Sequence, residues 1–142
     1  MSQNFANHTR WLPAYHFVVL PLLLLNIVLN VRDAVNAPGL WTRWGAVVSV
    51  TIFLGILLAR TMALTAQDRV IRLEETLRLQ RLLPVEQHGE IASITRGQFI
   101  ALRFASDEEL PALFRRVRNG EFANQKAIKQ AITAWRPDLL RV

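Results

Sequence analysis

Forty residues without a proline, Trp44 to Leu83, constrain this chain more than any other stretch. Trp44 to Ala59 is apolar and uncharged, whereas Gln67 to Leu83 mixes charged and apolar residues at helical spacing. With nothing to interrupt it, the stretch reads as one helix roughly 60 Å long, about twice the thickness of a bilayer's hydrocarbon core. One half suits hydrocarbon and the other suits water. The helix is expected to act as a strut that fixes the surrounding chain.

Upstream, Trp11 to Val31 provides 21 uncharged residues between Arg10 and Arg32, enough to cross a bilayer. Residues 1–10 form a polar N-terminus. The apolar run after Arg10 is too long for a signal-peptide core and lacks a small-x-small cleavage site. Trp11 and Tyr15 suit the aromatic belt at one interface, and Trp41 and Trp44 suit the other. Pro21 lacks an N–H and predicts a kink. Asn26 and Asn30 share a helix face, and an amide in hydrocarbon seeks a partner; Asn26 therefore marks a face that meets protein, while Asn30 can reach the interface. Residues 32–43 read as a short loop, with Pro38-Gly39 favouring a tight reversal.

The second span covers 44–64, with Arg60 snorkelling near its end. Small residues recur at four-residue spacing on two faces, Gly45 and Ser49 on one and Thr51, Gly55 and Ala59 on the other. Such spacing lets helix backbones approach closely. The first span needs only one of these faces, which leaves one spare. The 32–43 loop holds Arg32, Arg43 and Asp33, whereas Arg60, Arg69, Arg72, Arg78 and Arg81 lie at and beyond the end of the second span. By the positive-inside rule both termini are expected in the cytoplasm.

Residues 65–83 read as a cytoplasmic extension of the same helix. Asp68–Arg72 and Glu74–Arg78 are spaced for stabilising i, i+4 pairs, and Val70, Leu73 and Leu77 form an apolar stripe about two turns long. Pro84 ends the helix, and residues 84–142 read as a small helical domain. There a helix is expected to start near Thr95. Ser106-Asp-Glu-Glu109 has the form of a capping box, with Pro111 predicting an irregular or delayed first turn. Asn119-Gly120 is a left-handed helix stop, and a last helix is expected over Asn124 to Trp135 with Ile128, Ile132 and Trp135 on one stripe. The fold class is all-α.

Little in the chain suggests chemistry. The formal charge of +6 is ordinary for a membrane protein with cytoplasmic parts, and the absence of cysteine excludes disulfides, thiolate metal sites and a cysteine nucleophile. The histidines are His8, His16 and His88. His16 could ligate a haem or pigment at the start of the first span, but an interfacial histidine bonded to a carbonyl accounts for it more simply. Glu108 and Glu109 could act as an acid–base pair, but capping explains them. No phosphate loop, nucleophile elbow or dinucleotide fingerprint occurs. The expectation is no enzyme activity, no catalytic or metal-binding residue and no cofactor.

Thr95 to Leu110 resembles the opening of a helix-turn-helix of the sigma-factor region-four type, with Gln125 to Ile132 in the place of a reading helix. On that resemblance the C-terminal domain would bind nucleic acid through Lys126 and Lys129. A small bundle packed for its own sake uses the same helix lengths.

Three further segments carry a second resemblance: Gln3-Asn-Phe-Ala-Asn-His-Thr-Arg-Trp11 with Pro13 and Tyr15-His16, then Ala101 to Pro111, then Ile128-Lys129 with Trp135-Arg-Pro-Asp138 and Arg141-Val142. Together they resemble a family of small bacterial two-helix membrane proteins of unknown function. The resemblance implies architecture and source, and brings no activity. The leading expectation is a non-catalytic accessory subunit, held in the lipid bilayer against a larger membrane protein complex such as a respiratory or photosynthetic assembly. A membrane-tethered DNA-binding regulator and a scaffold self-associating through 67–83 are the other readings.

Overall fold

The computed structural model describes residues 4–5 and 11–138; His8, Arg10 and Arg141-Val142 lie outside the described residues. Among the described residues every regular element is helical, and extended pairing is confined to one antiparallel bridge between Ala105 and Trp135. The chain divides into two compact units whose boundary falls at Leu64–Thr65.

The first unit holds two helices long and apolar enough to span a membrane. A π-helical segment, Ala14–Val19, leads into α1, Leu20–Asn36. The wide π turns end just before Pro21. They accommodate a proline that cannot donate to the carbonyl four residues back and whose ring crowds it. The expected first helix, 11–31, is thus displaced to 14–36. Arg32 and Asp33 are helical, and the expected loop of 32–43 contracts to 37–39. Thr42 closes this turn: its hydroxyl accepts from Gly39 N at 3.0 Å and lies 3.0 Å from the Ala37 carbonyl oxygen.

α2 runs unbroken from Leu40 to Leu82, 43 residues, starting one turn before the expected Trp44. Its C-terminal part belongs to the second unit. Residues 65–83, expected as an extension, and 84–138, the described part of the expected separate domain, fold together around one core. Leu79 and Leu83 at the end of the helix join Ile91, Phe99, Leu102, Phe104, Leu113, Phe114 and Ile128 in it.

After Pro84 a 3₁₀ helix covers Val85–Ser93. α3, Arg96–Leu102, starts where expected and carries a complete capping box: Thr95 Oγ1 accepts from Gln98 N, and Gln98 Oε1 accepts from Thr95 N. α4, Leu110–Arg118, ends at Gly120 with φ of +75°. Gly120 N donates to the Val117 carbonyl and Glu121 N to that of Arg116, the Schellman pattern that favours glycine there. α5 covers only Gln125–Gln130, capped by Asn124. It crosses α3 closely enough that a Cβ on Gly97 would collide with the Gln125 side chain.

The expected helix to Trp135 therefore stops early, and Glu109 supplies the reason. Its carboxylate accepts from Thr133 N, Thr133 Oγ1 and Ala134 N at 3.0–3.2 Å. Those N–H groups are drawn out of the helix, and residues 134–136 pair with 104–106 instead. The Ser106–Glu109 capping box is thus only half formed. Ser106 Oγ accepts from Glu109 N at 3.2 Å, but the glutamate reaches across the fold rather than back to its own turn. Trp135 leaves the Ile128–Ile132 stripe and packs on Phe104, with ring centroids 5.0 Å apart.

Candidate interaction site

In the apolar unit the two small-residue faces of α2 have different fates. On the first, Gly45 lies against α1: a Cβ there would come within 2.8 Å of Asn30 Oδ1. Asn30 Nδ2 in turn donates to the Asn26 carbonyl at 2.8 Å and to Asn26 Oδ1 at 3.0 Å. Asn30, expected to reach an interface, is thus the amide that meets the second helix, while Asn26 is exposed and orients it. Ser49 is buried on the same face, its hydroxyl satisfied by the Ala46 carbonyl at 2.8 Å.

On the second face Thr51, Gly55 and Ala59 are all exposed, and no atom would lie within 4 Å of a Cβ at Gly55. The Thr51 hydroxyl donates to the Val47 carbonyl at 2.8 Å. This face therefore presents no unsatisfied hydroxyl to an apolar neighbour.

The expected interfacial anchors gather at the two ends of the hairpin. The Arg60 guanidinium sits 5.8 Å from the Tyr15 ring centroid, with exposed Trp11 nearby in sequence. Trp41 and Trp44 stand exposed at the start of α2. His16 Nδ1 lies 3.0 Å from the Leu12 carbonyl oxygen and 3.2 Å from Leu12 N, and its ring meets Trp11 and Tyr15 edge-on.

In the second unit, Arg78 is at the centre of an ion network that i, i+4 spacing does not predict. Only 5% of its side chain is exposed, and its nitrogens reach Glu75 Oε2 at 3.0 Å, Asp107 Oδ1 at 2.6 Å and the Ala105 carbonyl at 2.7 Å. Arg81 adds a contact to Asp107 at 3.2 Å, and Arg136 lies 3.6 Å from Glu75. Arg103 and Asp138 pair nearby at 2.8 Å. Burial pushes the Glu75 carboxyl above its ordinary range, partly offset by Arg78 and Arg136. The hydrogen bond from Arg78 holds Asp107 below its ordinary range. Glu75, Asp107 and the Ala105 carbonyl satisfy the three guanidinium nitrogens of Arg78, so these bonds tie α2 to the Ala105–Asp107 segment. One signal is present in the sequence: Ile71, Glu75, Arg78, Leu79 and Leu82 share a helix face, which places two ionisable groups within an apolar stripe.

The expected i, i+4 pairs give way to these longer-range contacts. Arg78 turns from Glu74 to Glu75 and Asp107; Asp68 lies 3.8 Å from Arg96, and Arg72 sits over Phe99. Because the face bearing Ile71 and Leu79 is the buried one, Val70, Leu73 and Leu77 point outward. Val70 and Leu77 edge an open groove of about 1190 Å³ floored by the ion network.

Other candidates for chemistry are dispersed. Among the described residues no three histidines, aspartates or glutamates gather as metal ligands. Glu109 is engaged by residues 133–134, and Glu108 is exposed. The expected reading helix is six residues long; its Lys126 is exposed, whereas Lys129 Nζ lies 5.3 Å from the Phe104 ring centroid.

No curated protein and no solved structure matches the chain. One family profile does, described as a family of unknown function (DUF6526), and it matches residues 1–142. The two-helix apolar hairpin and its helical companion unit are therefore the architecture of a member of the DUF6526 family, to which this chain belongs.

Proposed function

We propose that this protein is a non-catalytic accessory subunit, inserted in a bacterial cytoplasmic membrane as a helical hairpin and packed against a larger membrane protein assembly. The observation that carries this reading is the open Thr51–Gly55–Ala59 face. Gly45 and Ser49 supply what α1 needs, and a second small-residue face remains without a neighbour. In hydrocarbon, helices associate through close van der Waals packing, and small residues at this spacing permit it. Exposed tryptophans at the hairpin ends suit the two interfaces, and the arginines after Leu58 favour cytoplasmic termini.

The reading is tested by affinity purification of the tagged full chain from its native membranes in mild detergent. Wild-type protein is expected to retain a partner in fixed stoichiometry. Gly55→Leu should lose that partner while inserting and extracting normally, and Gly55→Ala should keep most of it. Retention unaffected by Gly55→Leu would overturn the assignment of this face.

A further inference from the structure

We propose that residues 66–77 of α2 pair with the same segment of a second copy, in a short parallel seam. Ala66, Val70, Leu73 and Leu77 would form its apolar line, and Arg69 of each copy would meet Glu74 of the other. The sequence shows only that these apolar positions lie on one helix face; the structure shows that this face is outside. Val70, Leu73 and Leu77 are 53%, 61% and 58% exposed, whereas Ile71, Glu75, Arg78 and Leu79 are buried in their own unit. In heptad terms Ala66 and Leu73 take d, Val70 and Leu77 take a, and the packed residues fall on b, c and f. The helix thus uses one side for its own fold and leaves a coiled-coil seam on the other.

Charge selects the occupant. Arg69 falls on g and Glu74 on the following e, both exposed. In a parallel pair of identical helices, g of one copy faces the following e of its partner, so Arg69 and Glu74 meet twice across the two-fold axis. An antiparallel pair centred on Leu73 would bring Glu74 against Glu74. The surface is therefore complementary to itself in the parallel sense.

Four layers, less than two full heptads, are too few to hold a dimer in dilute solution, because coiled coils in water need three to four heptads. Two copies confined to one membrane meet at a far higher effective concentration, and in this respect the seam rests on the proposed membrane insertion.

The chain has no cysteine, so single-cysteine variants of the full protein in native membranes give a direct test. Under mild oxidation Leu73→Cys is expected to form a disulfide-linked dimer, and Ala112→Cys, exposed on α4, is not. Arg69→Glu should lower the fraction of dimer cross-linked at position 73 roughly tenfold. Adding Glu74→Arg in the same chain should restore it. Equal cross-linking at 73 and 112, none at 73, or no rescue by the second charge reversal would each overturn the seam. A cross-linked dimer that purifies with no larger partner would sustain the seam and overturn the accessory-subunit reading. A single copy in each larger assembly would do the reverse.

Discussion

Arg78 is nearly sealed from water, yet each of its guanidinium nitrogens has an oxygen within 3.0 Å. Removing one partner leaves part of a buried charge uncompensated, which costs more than the pair contributes. Asp107→Asn weakens one of these contacts and a second to Arg81, at a half-exposed position, and a loss of about 1–2 kcal/mol in stability is expected. The two carboxylates act in opposite directions with pH. Asp107 is held low in the folded protein, so its contribution is present above the ordinary aspartate range and is lost as pH falls through the lowered value. Glu75 is raised, so its contribution is fullest below the ordinary glutamate range and declines as pH rises through the raised value. Thermal unfolding followed against pH should therefore lose its acid limb in Asp107→Asn. In Glu75→Gln it should flatten on the side of higher pH. An acid limb unchanged in Asp107→Asn would show that other carboxylates govern it.

At the scale of elements, what is local is legible in the sequence and what depends on distant partners is not. The long helix, the start at Thr95 and the stop at Gly120 each arise from residues within a few positions: no proline, a threonine cap, a glycine at positive φ. The two faces of α2 near Gly45 and Gly55 are also readable, because spacing alone defines them. The 3₁₀ segment after Pro84 and the short α5 are not. α5 stops because a carboxylate from residue 109 captures the N–H groups of residues 133 and 134, and nothing within the 124–135 window signals that. Likewise a serine three residues before a glutamate predicts a capping box, but a side chain bonded elsewhere cannot reach back. Glu109→Ala is expected to cost about 1–3 kcal/mol by stripping those amides of their acceptor. Ser106→Ala should cost about 1 kcal/mol or less, because it removes a single cap bond. Hydrogen exchange at Thr133 and Ala134 should rise sharply in the first variant and little in the second. Equal protection in both would mean that the bridge to residues 104–106 holds the segment unaided.

At the scale of the whole molecule, several polar side chains that stand out in the sequence are engaged in local structure among the described residues. His16 Nδ1 lies against the Leu12 backbone, Glu109 ties down a turn, and each guanidinium nitrogen of Arg78 has an acceptor. Among the described residues α2 has two exposed faces of interest: Thr51–Gly55–Ala59 in the apolar unit and Val70–Leu73–Leu77 in its companion. Both are features of one helix read at two kinds of position, small residues where close packing would matter and large ones where burial from water would. A chain whose open features are surfaces is best understood through what covers them, which makes mass the decisive quantity. The most direct measurement is the native mass of the full chain purified in mild detergent from the cells that make it, set against 16.2 kDa for one chain. The expected species is heavier than two copies and contains other membrane polypeptides in fixed proportion. A monodisperse species of one or two copies with no other polypeptide would contradict that expectation.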